Sequence, residues 1–260
     1  PRFLLPQLLE HEEDLEAIIV DDRAANRHSV ITDSHNKNVA CRSSLEVLDW
    51  LLDAGSIDSR EWRHARTRLR QAGYQFIPVT AEELTAALDA SVIREGVLVE
   101  SAAARAIREN HQLGQAAEVV LMPDEAAWLS NHGHQIREAV VAVWERSGDD
   151  AESAAKSTWL VELSRLDGFF ARLPGEWNDS RFVTLDALTL ARFLMLSVSK
   201  SKRNAYNSWL EDRYLKEMKD DRPKVFDALC EDVICHLGRL DSIIQEMDLN
   251  DVDREAATAV

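Results

Sequence analysis

Residues that interrupt regular secondary structure are scarce in this chain. Its 260 residues include nine glycines and six prolines, well below the average usage of about 7% and 5%. Leucine, alanine, glutamate and arginine, which all favour helices, are frequent along the whole sequence. With few breakers and many helix formers, the elements should be long and uninterrupted. We therefore predict a mainly α chain.

Charge and hydropathy narrow the classes of protein further. The 30 basic and 46 acidic residues give a formal net charge of -16, which excludes a protein that coats nucleic acid over its whole surface. Residues 187–198, the longest candidate for a membrane span, fall short of the required ~20 residues and include Arg192. The three cysteines lack metal-ligand spacing, and no secretory leader opens the chain. We expect a cytoplasmic protein with no membrane partner.

Three segments have the pattern of strands. Residues 15–20 (LEAIIV) form an apolar run that ends abruptly at two aspartates, as a buried strand does. Residues 29–32 (SVIT) are a shorter candidate. Residues 74–79 (YQFIPV) are rich in aromatic and β-branched side chains, but Pro78 restricts this strand to an edge position.

The other segments are typical of helices. Gly55 should end a helix over residues 44–54, and the pairs Asp58 and Glu61, and Thr80 and Glu83, each predict a capping box that starts another. After about residue 100 every segment favours helix, over residues 101–113, 124–147, 150–172, 185–199, 205–219 and 223–247. The apolar stripe of the last helix favours intramolecular packing. We predict a small α/β portion over residues 1–90 and an all-helical region over residues 91–260.

The strongest chemical feature is the sequence Asp21-Asp22-Arg23 at the end of the first strand. Ligands and metals in open α/β sheets collect at the carboxyl ends of strands. Adjacent carboxylates suit Mg²⁺ or Mn²⁺, ions that activate water and neutralise a phosphodiester transition state. The same residues also fit a turn after a strand, or a cap at the start of a helix. The pattern alone leaves both interpretations open.

A longer stretch around this motif resembles a known family. The run IIVDDRAANRHSVITD, a leucine-rich helix, a glycine turn and then LRQAGYQFIPVTAEEL are similar to the C-terminal part of a PIN-like nuclease domain. The similarity is greatest to the versions found near the end of long bacterial proteins that carry helical repeats upstream. It covers roughly residues 15–90, with the helical remainder as an extension.

The resemblance implies a function and a set of site residues. It implies a divalent-metal-dependent nuclease that cleaves RNA or single-stranded DNA with Mg²⁺ or Mn²⁺. Asp21 and Asp22 would be the catalytic metal ligands, with Asp33 as a further ligand and with Arg23 and Asn26 near the nucleic acid. The first strand of such a domain would precede Pro1. We therefore expect the rest of the active site upstream in the same protein or in a partner subunit.

Two basic clusters are candidate contacts for phosphates. One is on the predicted helix after Asp58, where helical spacing places Arg60, Arg63, Arg66 or His64, and Arg70 along one side. The alternatives are a surface helix whose arginines pair with acids, or a helix-turn-helix. The other lies in a serine-rich connection and comprises Lys200, Lys202 and Arg203; the alternative is a solvated loop.

Two further interpretations remain open. His132, His134 and Glu138 are a weaker candidate for a metal site. As an alternative to the nuclease, the chain is a non-catalytic helical scaffold or partner-binding subunit of a larger bacterial complex, with apolar stripes that dock another protein.

Overall fold

Helices form most of this computed structural model, so the predicted mainly α class is confirmed. The structure describes residues 16–21, 30–32, 36–116, 123–165 and 180–235. It divides into two units, Pro1–Ile77 and Pro78–Val260. Within the described residues, no helix is long and apolar enough to cross a membrane.

The first unit contains a small mixed sheet of three strands, β1 (Ala17–Ile19), β2 (Val30–Thr32) and β3 (Asn38–Arg42). Strand β3 lies in the middle, parallel to β1 and antiparallel to β2. The first two strands lie within predicted segments. The central strand was not predicted, because its sequence NVACR mixes polar and small residues, although Val39 and Cys41 alternate into the interior.

Two helices follow the sheet, α1 (Ser44–Asp53) and α2 (Ser59–Gln71). The predicted capping box at the start of α2 is confirmed: Asp58 accepts the amide hydrogens of the first turn, and the Glu61 side chain accepts that of Asp58. Both helices lead into a glycine with positive φ, +68° at Gly55 and +87° at Gly73, a conformation that favours glycine. Local sequence therefore sets the ends of both helices.

The predicted strand over residues 74–79 is wrong. Residues 74–80 belong to no helix or strand, and Phe76 has a φ of +59°, which interrupts an extended ladder. Ile77 and Val79 are nevertheless buried. The apolar pattern therefore correctly indicated that residues of this segment are buried, but the segment does not pair as a strand.

The second unit begins with helix α3 (Ala81–Asp89) and a hairpin of strands β4 (Val92–Arg94) and β5 (Val97–Val99). The predicted boundary after residue 90 differs from this division, because Leu84 and Leu88 of α3 lie in the helical core. The hairpin also corrects the prediction that residues 91–260 are all helical.

The rest of the second unit is mainly helical in the part that the structure describes. Helices occur within all six predicted segments, and α7 and α8 each start five residues early. They are α4 (Ala102–Ala116), α5 (Pro123–Arg146), α6 (Asp150–Ser164), α7 (Ser180–Leu194), α8 (Lys200–Leu210), a π-helical turn (Glu211–Leu215), α9 (Lys216–Asp221) and α10 over residues 223–235.

Large apolar side chains fill the centre of this unit. Trp144 of α5 is 1% exposed and meets the ring of Tyr206 edge-on, with ring centroids 5.5 Å apart. The Tyr206 hydroxyl donates to the Phe193 carbonyl at 2.6 Å, so its polar end is satisfied. Leu229 of α10 is buried in the same core, and Val233 packs against it. The predicted intramolecular packing of the last helix is therefore confirmed for its described part.

Candidate functional site

Asp21 lies at the carboxyl end of β1, where the sheet pairing places it beside the start of α1. Ile19 is level with Arg42 in the parallel pair, and the Val20 amide extends the ladder by donating to the Arg42 carbonyl at 2.8 Å. The two strands therefore end side by side at the same edge of the sheet. One continues to Asp21, and the other continues to the first residues of α1.

Three hydrogen bonds hold the Asp21 carboxylate. The backbone amide of Ser44 donates to Oδ1 at 2.8 Å, and the Ser44 hydroxyl donates to Oδ2 at 2.7 Å. The Tyr74 hydroxyl donates to Oδ2 at 3.1 Å. Ser44 is the first residue of α1, so the carboxylate also lies at the positive end of the helix dipole. This geometry supports the structural interpretation of Asp21 as an acid that stabilises a helix start.

The start of α1 has a second fixed carboxylate. The Glu46 side chain accepts the Ser43 amide at 2.7 Å, and Ser43 Oγ accepts the Glu46 amide in return. Glu46 also pairs with Arg42 at 3.3 Å. The hydrogen bond from the Ser43 backbone, aided by Arg42, lowers the pKa of Glu46. The first turn of α1 therefore saturates most of its free amides with side chains.

The Asp21 carboxylate retains the chemistry of a metal ligand. A carboxylate offers about four lone pairs, and the three hydrogen bonds from described residues leave one, on Oδ1. A hard oxygen of this kind suits Mg²⁺ or Mn²⁺. Within the described part of the chain, no three His, Cys, Asp or Glu side chains are grouped as metal ligands would be. Four other predicted site residues lie outside the described residues: Asp22, Arg23, Asn26 and Asp33.

The exposure of the arginines on α2 differs from that expected for the predicted phosphate-binding strip. Arg66 and Arg70 are 3% and 5% exposed, so neither faces a nucleic acid, and Arg63 is half-buried. The Arg66 guanidinium stacks 4.3 Å from the centroid of the Trp62 ring, a favourable cation–π contact. The basic side chains of α2 that do reach solvent lie one turn apart, at Arg60, His64 and Arg68. The exposed basic face of α2 therefore keeps Arg60 and His64 of the predicted strip and adds Arg68, whereas Arg66 and Arg70 are not part of it.

The second basic cluster is helical and mostly paired. Lys200 starts α8 rather than lying in a loop. Lys202 Nζ pairs with Asp150 at 2.7 Å, and the Arg203 guanidinium donates to the carbonyls of Leu196 and Val198 at 3.2 and 2.9 Å. Lys200 is the exposed member. These contacts fix the α7–α8 connection and leave little of the cluster for phosphates.

The histidine candidate for a metal site is wrong. His132 is 2% exposed, whereas His134 faces solvent. The His132 ring stacks instead on His111, with centroids 4.4 Å apart. Gln115 Nε2 lies 2.9 Å from His111 Nε2. Residues two apart on a helix point to different sides, which explains why His132 and His134 do not converge.

Sequence reasoning missed the partners of Asp21. Ser44 and Tyr74 lie 23 and 53 residues away in the chain, and only the parallel pairing of β1 with the unpredicted strand β3 brings Ser44 close.

Comparison with known proteins adds no assignment: no protein-family model matches the sequence, and no curated protein or solved structure is significantly similar to it.

Proposed function

We propose that this chain carries part of a PIN-like, divalent-metal-dependent nuclease that hydrolyses phosphodiesters of RNA or single-stranded DNA. One observation carries the proposal: the Asp21 carboxylate lies at the carboxyl edge of the sheet, held in one orientation, with a lone pair left on Oδ1. In open α/β sheets, ligands bind outside the carboxyl ends of the strands. The proposed compartment is the cytoplasm.

The residues of this chain would have different roles at the site. Asp21 would hold Mg²⁺ or Mn²⁺, together with Asp22, Asp33 and acids from upstream in the protein or from a partner subunit. Ser44 and Tyr74 position the Asp21 carboxylate, so that it loses little freedom on binding. A bound ion supplies an activated water and neutralises charge on the phosphodiester.

Positive charge in the same unit favours a nucleic-acid substrate. Arg60, His64 and Arg68 are exposed on α2, and phosphate contacts by such residues strengthen binding without reading sequence. Arg23 and Asn26 of the motif would contact the substrate closer to the metal. The net charge of -16 confines nucleic-acid contact to such local patches.

The test is cleavage by the full-length gene product. Fluorescently labelled single-stranded RNA and DNA are incubated with Mn²⁺, Mg²⁺ or EDTA, and the products are separated on a gel. We expect metal-dependent cleavage that the Asp21→Asn, Asp22→Asn double variant loses by at least 100-fold. Asp53→Asn removes one exposed acid from the same unit and should retain full activity. Equal cleavage by the double variant and the wild type would refute the site.

The alternative, a partner-binding scaffold, has its own supporting observation. The outer face of the β4–β5 hairpin presents Val92, Val97 and Val99, which are 54%, 66% and 45% exposed. Val92 lies opposite Val99 and Arg94 lies opposite Val97 in the ladder, so the three valines share one face of the hairpin with Arg94. Replacing Val97 and Val99 by threonine should abolish co-purification of a partner without lowering the melting temperature. The scaffold hypothesis is refuted if the chain is monomeric in its native extract and no other protein co-purifies with it.

A further inference from the structure

The outer face of α1, in the first unit, exposes a tryptophan beside a groove. Trp50 is 66% exposed, although a tryptophan side chain is usually well buried. The groove has a volume of about 540 Å³, within the range of about 300–1,000 Å³ that is typical of ligand sites. Its lining consists of Arg42, Glu46, Val47, Asp49, Trp50 and Asp53.

Helical spacing places these side chains on one face of α1. Glu46 and Trp50 lie one turn apart, and so do Asp49 and Asp53. The leucines of the same helix are half-buried on a different side, at Leu45, Leu48, Leu51 and Leu52. Trp50 therefore contributes little to the packing of the first unit, and its apolar surface is available to a partner.

The charges along this face favour a positively charged partner. Arg42 pairs with Glu46 at 3.3 Å, so these two charges offset each other. Asp49 and Asp53 remain, and the hydrogen bond that Asp49 accepts from Trp62 Nε1 at 2.8 Å comes from a neutral donor. Asp53 is the last residue of α1, and no basic residue lies in the last turn, so its carboxylate adds to the negative end of the helix dipole. Phosphates would be repelled here, and a cation would be attracted.

Arginine is the cation that fits this face best. A tryptophan ring attracts cations more strongly than the other aromatic rings do, and a planar guanidinium can stack on the ring while it donates to a carboxylate. The neighbouring helix already contains such a stack, because the Arg66 guanidinium lies 4.3 Å from the centroid of the Trp62 ring. A guanidinium on Trp50 would have a carboxylate one turn further along the helix, at Asp53.

We propose that this groove binds a short arginine-containing segment of a partner protein. One arginine of the segment stacks on Trp50 and pairs with Asp53 or Asp49, and its aliphatic stem contacts Val47. Tryptophan is frequent among the residues that contribute most of the binding energy at protein interfaces. The inference does not rest on the proposed nuclease, because the groove takes no part in metal binding or cleavage.

The test is fluorescence anisotropy of the whole chain with a fluorescein-labelled peptide, Gly-Arg-Gly-Arg-Gly with blocked ends. Peptides with lysine or glutamate in place of both arginines are compared. We expect saturable binding of the arginine peptide with a Kd of order 0.1 mM. The lysine peptide should bind about threefold more weakly, because an ammonium neither stacks nor forms a bidentate pair. The glutamate peptide should not bind, and added sodium chloride should weaken the arginine peptide.

Variants separate this face from general attraction to an acidic protein. Trp50→Ala should weaken binding by about fivefold or more, Trp50→Phe should weaken it less, and Asp53→Asn about 2–4-fold. Leu113→Ala removes apolar surface from a side chain that is 44% exposed on α4, and Asp220→Asn removes one exposed acid from α9. Both are matched controls, with an unchanged Kd. Circular dichroism confirms that each variant is folded.

Three results would overturn the proposal. The first is an unchanged Kd in Trp50→Ala, or equal weakening by Asp53→Asn and Asp220→Asn, because the attraction would then be non-specific. The second is a labelled single-stranded RNA that binds more tightly than the arginine peptide and loses affinity in Trp50→Ala, since the face would then stack bases. The third is a dimer of the free chain, seen by sedimentation, that Trp50→Ala dissociates, since the face would then join two copies.

Discussion

The Asp21 carboxylate accepts hydrogen bonds from both the amide and the hydroxyl of Ser44, at 2.8 and 2.7 Å. This contact joins the end of β1 to the start of α1 across 23 residues of chain. The same carboxylate would hold the metal of the proposed nuclease. Its structural role and its proposed chemical role can be separated, because Ser44 positions the carboxylate but would not itself bind the metal.

Replacing Ser44 by alanine should therefore destabilise the fold more than it impairs cleavage. Ser44→Ala removes one hydrogen bond to a charged acceptor, so we expect the free energy of unfolding to fall by about 1–2 kcal/mol. Urea unfolding measures this. Cleavage at a temperature where the variant is folded should fall less than tenfold, against at least 100-fold for Asp21→Asn. Equal losses of cleavage activity in the two variants would show that Asp21 has a structural role only.

Alkaline titration tests the contact between Asp21 and Tyr74. The hydrogen bond to Asp21 and the charge of that carboxylate raise the pKa of Tyr74 above its ordinary value of about 10. The stabilisation is therefore complete below about pH 10 and is lost as pH rises through the folded-state pKa. Absorbance at 295 nm follows phenolate formation, and Tyr74→Phe identifies the transition. Asp21→Asn should move that transition to lower pH; an unchanged transition would contradict the contact.

Helix ends could be predicted from the sequence because the interactions that set them are local. Asp58 and Glu61 form their capping box within one turn, and Gly55 and Gly73 take the positive φ expected after a helix. None of these features depends on distant contacts. The acidic motif after β1 was found for the same reason, since an apolar run ending in aspartate is visible within a few residues.

Features that depend on distant partners could not be predicted in this way. The spacing of Arg66 and Arg70 placed them on a solvent face, but tertiary packing buries both. Lys202 and Arg203 had the composition of a solvated loop, yet Asp150 and two backbone carbonyls bind them. Strand β3 pairs with β2, which directly precedes it, but also in parallel with the more distant β1. Each of these predictions failed because contacts with residues outside the local segment determine the structure there.

The buried His111 should make stability depend on pH. The His111 ring packs against the rings of Trp128 and His132, which also contact each other, and burial lowers the pKa of His111 from 6.5 to about 4. The unfolded chain then binds a proton at higher pH than the folded chain does. The stabilisation is complete above about pH 6.5 and is lost as pH falls toward 4, by an amount of order 3 kcal/mol.

Urea unfolding between pH 4.5 and 7 measures the effect of His111. His111→Gln should flatten the pH dependence in this range, since it removes the group that takes up the proton. His134→Gln, on the exposed side of the same region, is the control and should leave the slope unchanged. If His111→Gln keeps the wild-type slope, other groups determine the pH dependence.

A buried lysine joins α3 to α6. The Lys156 side chain is 9% exposed and pairs with Asp89 at 2.7 Å and with Glu152 at 2.6 Å, while Arg146 also binds Asp89 at 3.1 Å. Asp89→Asn should lower the free energy of unfolding by about 1–3 kcal/mol, because it leaves two cations with a weaker partner. Lys156→Met should cost less. Chemical unfolding of both variants and the double variant gives the coupling, and additive losses would contradict the ion pair.

The turn of the β4–β5 hairpin offers a stabilising substitution. Glu95 and Gly96 have φ values of +52° and +77°, as a type I′ turn requires at both central positions. Glutamate is strained in this conformation and asparagine is not, so Glu95→Asn should raise the free energy of unfolding by about 0.5–1 kcal/mol. Glu95→Gln removes the charge but keeps the strain, and should change stability by less than about 0.5 kcal/mol. Thermal unfolding compares the three proteins, and equal gains from asparagine and glutamine would show that charge, rather than backbone strain, limits the hairpin.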